Sequence, residues 1–176
     1  MNIKTTAIAM VVILLAVVGG GYAYYSYSAG TLTVKMKDPP EGWGQASNIY
    51  IHFSAIEVHR TDAGNQTGWV NVVDKDGWID LSTAINVNKT IGQSRLQPGS
   101  YNIIRFEILE AKITVGGFNQ TASVVNGKLN VPITRGGITL VGGQTTEIVL
   151  DMSPRITGSE ASGYKLTPAV KALPKS

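Results

Sequence analysis

Both histidines of the chain lie in residues 49–60, IYIHFSAIEVHR, with Glu57 two residues ahead of the second. Two imidazoles and a carboxylate are the ligand types of a zinc or copper centre, and equally of an acid–base pair. Spacing decides between them. Ile49, Ile51 and Phe53 share one face of an extended strand, so Tyr50, His52 and Ser54 face the other way. Ile56 and Val58 restore an apolar face only if the parity changes around Ser54-Ala55, after which Glu57 and His59 point to solvent as well. At ~3.3 Å per residue His52 and His59 stand roughly 20 Å apart, too far to share an ion bound at about 2.1 Å. Glu57 and His59 are about 7 Å apart between Cα atoms and supply two ligands at most. The run therefore reads as a strand with a solvated polar face. A surface metal contact at Glu57 and His59 is the alternative.

Other chemistry-bearing residues form no set. Glu107 and Glu110 share one strand, and Asp74 and Asp76 sit in an Asp-Lys-Asp-Gly turn that lacks the further oxygen ligands and closing Glu of a calcium loop. The chain has no cysteine, which removes thiolate metal sites, disulfides and cysteine nucleophiles. No GxGxxG or Walker pattern occurs, so the Gly pairs at 116–117, 136–137 and 142–143 read as hairpin turns. The expectation is a non-enzyme with no catalytic residue, no resident metal and no cofactor. Trp43, Trp69 and Trp78 leave open a stacking platform for a glycan, against ordinary packing in the core or at a sheet edge. Three Asn-X-Thr sequons, at Asn65, Asn88 and Asn119, fall in expected loops, where a glycan acceptor must lie.

Composition narrows the class. Only 15% of the 176 residues are charged, against about 25% in an average soluble protein. The net charge is +3 with no basic run along the sequence, so nucleic acid is not an expected partner. A hydroxyl-rich, weakly charged surface fits life outside the cell.

The elements that would position these residues follow from periodicity. Residues 1–29 form an apolar leader: Lys4 precedes a charge-free stretch from Thr5 through Val34, most apolar from Ala7 to Val18. It has the form of a signal peptide or a membrane anchor, with small residues placing cleavage between Ala23 and Tyr24, or with the tyrosines as an interfacial belt. Membrane contact through this segment, with the domain outside, is expected. Residues 30–176 read as one domain with a period of two. Leu32, Val34 and Met36 alternate with polar residues until Asp38-Pro39-Pro40, and later runs end on Leu129–Ile133, Ile148–Met152 and Tyr164–Val170. In residues 101–115 the apolar face switches from Ile104, Phe106 and Ile108 to Ala111, Ile113 and Val115, which requires a bulge near Leu109. About eight strands without a second convincing helix predict an all-β antiparallel sandwich, immunoglobulin-like or transthyretin-like, behind an N-terminal apolar helix.

The order GTLTVKMKDPP, IYIHFSAIEVHR, GWVNV, WIDLSTAI, LQPGSYNIIRFEI, TTEIVLDM and YKLTPAV resembles, from Gly30 to Ala172, a family of exported archaeal and bacterial domains of unknown function. The resemblance implies a β-sandwich behind a signal or lipoprotein peptide, and it transfers no catalytic residue. LQPGSY is similar to the corner that such sandwiches use before a central strand, with Tyr101 packed inward and its hydroxyl bonded. A second, architectural resemblance is to subunits of archaeal thread or pilus filaments. It implies self-association, or association with other cell-surface proteins, by donation of an extended N-terminal segment. Here that segment would be Tyr24, Tyr25, Ser26, Tyr27, Ser28 and Ala29, extended by the strand from Leu32 to Met36. The reading is a non-catalytic cell-surface protein, anchored or released, that acts by protein association; the alternative is a surface module binding metal or glycan.

Overall fold

The computed structural model describes residues 3–37, 41–64 and 66–175, with helical side chains described at residues 10–24 and 28. The Asp38-Pro39-Pro40 stop and Asn65 lie outside the described residues, as do the side chains of Tyr25, Ser26 and Tyr27. One helix, α1 (Ile3–Ser28), precedes fourteen strands: β1 (Gly30–Lys37), β2 (Asn48–Phe53), β3 (Ile56–Arg60), β4 (Trp69–Val73), β5 (Gly77–Asp80), β6 (Lys89–Leu96) and β7 (Gly99–Val115), then β8 (Phe118–Val124), β9 (Lys128–Pro132), β10 (Ile138–Leu140), β11 (Thr145–Met152), β12 (Arg155–Ser159), β13 (Gly163–Thr167) and β14 (Val170–Lys175). Two short 3₁₀ turns interrupt them, Leu81–Ala84 and Thr134–Gly136.

The strands form two sheets around one core. The smaller sheet runs β14-β11-β1-β6. The larger runs β12-β13-β8-β7-β2-β5, with β3, β9 and β10 also on β7 and β4 on β3. The all-β sandwich behind an N-terminal helix is thus borne out. The strand number is larger than about eight, because the chain breaks its long runs into short pieces. The pairing is also mixed: β1 lies parallel to β11 and β8 parallel to β13. At its seams the sandwich nearly closes. β4 packs on β6, and β9 lies near β14 with a parallel bridge between Ile133 and Ala172. The first seam is close enough that a Cβ at Gly92 would fall 1.9 Å from Val73 Cγ2, so any side chain there would force Val73 to shift.

β7 organises the larger sheet. One edge pairs with β3 over its first half and β2 over its second; the other pairs in turn with β10, β9 and β8. Its alternation of Ile, Phe, Tyr and Val buries Tyr101, Ile104, Phe106 and Ile108, then Ala111 and Ile113. The parity change falls where expected: His52 opposes Glu110 and Phe53 opposes Ile108, which leaves Leu109 as the bulged residue, 49% exposed.

Both edges of β7 change partner next to this bulge, and each gap is closed by a specific group. Between β2 and β3, the Ser54 N–H donates to Glu107 O and the Glu107 N–H donates to Ser54 Oγ, both at 2.8 Å. Between β8 and β9, the Ile108 N–H donates to Gly127 O at 2.9 Å. A Cβ on Gly127 would sit 2.6 Å from Ile108 O, so that approach requires glycine. The break in IYIHFSAIEVHR is therefore a satisfied hinge in which Ser54 supplies the missing strand partner.

At its start β7 is set by the LQPGSY corner. Tyr101 is fully buried and its hydroxyl donates to Gln97 O at 2.8 Å, as the sequence led us to expect. Burial in apolar surroundings pushes the phenol pKa up, partly opposed by Arg60.

Two substitutions test these anchors. Ser54→Ala leaves a strand N–H without its acceptor and should cost about 1–3 kcal/mol, read as a lower urea midpoint with an unchanged m-value. Tyr101→Phe should cost about 1 kcal/mol, or roughly 2–4 °C in thermal midpoint, since one buried hydrogen bond is lost without a cavity.

Candidate functional site

Two side-chain clusters of similar make-up lie on the outer face of the large sheet, one each side of the bulge. In each, a histidine pairs across strands with a tryptophan, and β7 supplies a cation that covers the indole. In the first, His52 opposes Trp78 in register. Their rings stack at 4.9 Å with 6° between planes, and His52 Nε2 lies 2.7 Å from Asp76 Oδ2. Lys112 Nζ stands 4.6 Å from the Trp78 ring centre and 3.5 Å from Glu110 Oε1. In the second, His59 opposes Trp69 in register, with ring centres 4.9 Å apart and planes tilted by 59°. Arg105 Cζ lies 3.9 Å from the Trp69 ring centre, and its Nε donates to Glu57 Oε2 at 2.5 Å. Cross-strand aromatic pairs and cation–π contacts of this kind fix register and add to stability.

The clusters differ in burial, and here one expectation is overturned. His52 stays on a solvated face. His59 does not: it is 5% exposed. The chain after β3 folds back over it, so that Gly64 O lies 3.2 Å from Nε2 while Asn102 Oδ1 lies 3.4 Å from Nδ1 and Trp69 covers one side. A carbonyl facing Nε2 requires that nitrogen to donate, and burial with Asn102 beside Nδ1 shields the other nitrogen from an ion in solvent. Glu57 is held by Arg105. The proposed surface metal contact at Glu57 and His59 is therefore corrected: both groups are committed to neighbours. Among the described residues no group of three or more His, Asp or Glu side chains is placed to hold a metal ion.

The tryptophan platform also fails on geometry. Trp43 is buried, Trp69 is half-buried under Arg105, and Trp78 alone is well exposed, at 46%, on edge strand β5. Sequence reasoning missed the His–Trp partnerships because each joins residues on different strands; the mirrored order His52, His59, Trp69, Trp78, which nests β3–β4 inside β2 and β5, was the available signal.

Between the clusters a groove of about 310 Å³ opens at the Ser54 hinge, lined by Glu57, Arg105, Glu107, Lys128 and Asn130 among others. Its two carboxylates and two cations balance. The Ser54 hydroxyl donates to Ala55 O and accepts from Glu107 N–H, so it is not poised as a nucleophile. The groove is a polar surface feature.

The remaining candidates are placed as follows. Asn88 is exposed in the segment before β6, as a glycan acceptor must be. Asn119 is exposed too, but on strand β8 and not in a loop, two residues past the Gly116-Gly117 turn, with its Oδ1 accepting from Thr114 Oγ1 at 2.7 Å. Ala23 and Tyr24 are exposed residues of α1. The expected donor segment is not extended here: residues 24–28 belong to α1, and Ala29 is buried where β1 begins. Among the described residues no helix is long and apolar enough to cross a membrane.

Residues 29–168 match the family described as a domain of unknown function, DUF4382, and the chain belongs to it. None of the curated proteins matches. Among solved structures, the chain is similar to a candidate cell adhesion protein of Bacteroides eggerthii, with 10% identity, a TM-score of 0.39 and 85% of this chain against 57% of that one. It is also similar to a candidate cell adhesion protein of Bacteroides ovatus, with 8% identity, a TM-score of 0.24 and 85% against 46%. The chain thus spans about half the length of these structures.

The two histidines should separate in a stability assay. His59→Ala opens a buried site and strips a partner from Gly64 O, so it should cost about 1–3 kcal/mol, while His52→Ala on the exposed face should stay under about 1 kcal/mol. Zn(II) should leave the thermal midpoint of the unsubstituted chain unchanged; a rise abolished by His59→Ala would restore the metal reading.

Proposed function

We propose that this DUF4382 domain is a non-catalytic, exported module of the cell surface that works by protein association. The observation that carries the reading is α1. From Met10 to Val18 every large apolar side chain is 57–67% exposed, with no packing against the strands. An apolar helix uncovered on all sides needs lipid or other copies around it, or removal as a leader. Several ionisable groups of the domain it runs into pair with one another, which suits a scaffold.

The finer form is assembly by strand exchange. β1 is the first strand of the chain, yet it sits inside the small sheet between β11 and β6. The same strand from a neighbour would fit the same slot, which is domain swapping by an N-terminal element. Residues 24–28 would unwind to span the gap. Asn88 and Asn119 are the acceptors we assign for glycans, with Asn65.

Intact mass of the protein recovered from a secreting host tests export, cleavage at Ala23-Tyr24 and glycosylation together. The expected result is a chain starting at Tyr24, or a full-length chain in the membrane fraction. A full-length, unmodified chain confined to the cytosol would sink the proposal. Exchange is tested by mixing Lys37→Cys and Asp151→Cys chains, whose positions are paired in β1 and β11. Oxidation should link two chains; monomers alone would leave export intact and remove exchange.

A further inference from the structure

The outer face of the small sheet carries charge that the sequence disperses. Alternation puts Lys35 and Lys37 of β1, Glu147 and Asp151 of β11, and Lys171 and Lys175 of β14 on this face, with Arg95 of β6 at its far edge. In register, Glu147 lies beside Lys175, and Asp151 lies between Lys37 and Lys171. Five cations against two carboxylates leave an excess of three, equal to the net charge of the whole chain, +3. The remaining ten cations and ten carboxylates of the chain cancel in number.

The two carboxylates do not neutralise the face. Glu147 is shared, with Lys35 Nζ at 2.5 Å and Lys175 Nζ at 3.5 Å, and the lysines hold its carboxyl below the usual range. Among the described residues Lys37 and Lys171 form no ion pair although Asp151 stands between them, and Asp151 Oδ1 is buried without a hydrogen-bond partner. Val149 is covered at the centre of the face, consistent with lysine stems lying over it while the ammonium groups reach water.

We propose that this face docks an acidic polysaccharide. Lysines two apart on one strand stand about 6.6 Å apart, and those of β1 and β14, separated by β11, about 10 Å. A flat lattice of point charges at that pitch suits a chain polymer carrying one carboxylate or sulfate per residue or two, with each contact releasing counterions. Thr31 and Gln93 rim the lysines and offer hydrogen bonds to sugar hydroxyls. The face carries no large exposed apolar or aromatic side chain among the described residues. That disfavours a bilayer, where basic patches work alongside inserted apolar groups, and single-stranded nucleic acid, where bases need stacking partners. The choice of a surface polymer over other anions rests on the cell-surface reading above; the charged face itself does not.

The test uses the full chain with polygalacturonate as probe, in a binding titration over a range of salt. Dextran, a short duplex DNA and vesicles of phosphatidylcholine with phosphatidylglycerol serve as comparisons. Polygalacturonate should bind with an affinity that falls steeply with salt, and dextran should not bind. The combined Lys37→Gln, Lys171→Gln and Lys175→Gln chain should lose about tenfold or more at low salt with an unchanged thermal midpoint, while Lys128→Gln, on the other sheet, should bind as the parent does. No binding to polygalacturonate, equal binding by the triple variant, or tighter binding to DNA or vesicles would overturn the proposal. A chain that stays cytosolic yet binds polygalacturonate through these lysines would sink only the export reading, so the two failures are distinguishable.

Discussion

The structure depends on one long strand being allowed to change partners without leaving a backbone group unpaired. β7 spans 17 residues and serves five other strands. A flat strand of that length could not follow both halves of the twisted sheet. The bulge at Leu109 turns it, and at that point both edges would lose a ladder bond. Ser54 fills one gap with a backbone N–H and a hydroxyl, and Gly127 fills the other with a carbonyl brought too close for any side chain. Each unfilled gap would leave a strand N–H or C=O short of a partner in a largely protein-filled setting. The hinge therefore sets where β2 becomes β3, where β8 gives way to β9, and hence where the two His–Trp clusters stand.

Those clusters show what the residues that look reactive in the sequence contact in the fold. Arg105 and Lys112 leave β7 on opposite sides of the bulge, and each covers a tryptophan while meeting a carboxylate. His52 packs against Trp78 and His59 against Trp69, each across a strand pair. Each imidazole has a carboxylate or carbonyl at Nε2 and an indole at its face. The pairs also fix register: exchanging His52 and His59 between their tryptophans would require shifting a whole strand.

Much of this was legible locally. Parity alone located the change at Ser54-Ala55 and the bulge at Leu109, because burying alternate residues admits no other phase. The Pro98-Gly99 turn with Tyr101 two residues on marked the corner. What was not legible depends on contacts between distant residues. His59 has the right parity for solvent, but the residues following β3 fold over it, and nothing within IEVHR encodes that return. The parallel placement of β1 on β11 joins segments more than a hundred residues apart. For the same reason the basic face is invisible along the chain: Lys35 and Lys37 meet Lys171 and Lys175 only through β11.

That central placement of β1 also links the helix to the rest of the molecule. β1 holds seven register pairs with β11 and seven with β6, running parallel to the first and antiparallel to the second. A force applied at α1 enters the domain at Gly30 along the strand axis, so these bonds are loaded together in shear and not opened one at a time. Leu32, Val34 and Met36, fully buried beneath them, would have to be dragged through the core for the strand to slip by one position. An N-terminal strand at the edge of the sheet would peel. The same insertion that makes β1 a resistant attachment makes its vacancy specific, because only a strand with apolar groups at alternate positions refills the slot between β6 and β11. Anchoring by the N-terminus and exchange of the N-terminal strand, as proposed above, would both use a first strand placed inside the sheet, as β14-β11-β1-β6 places it.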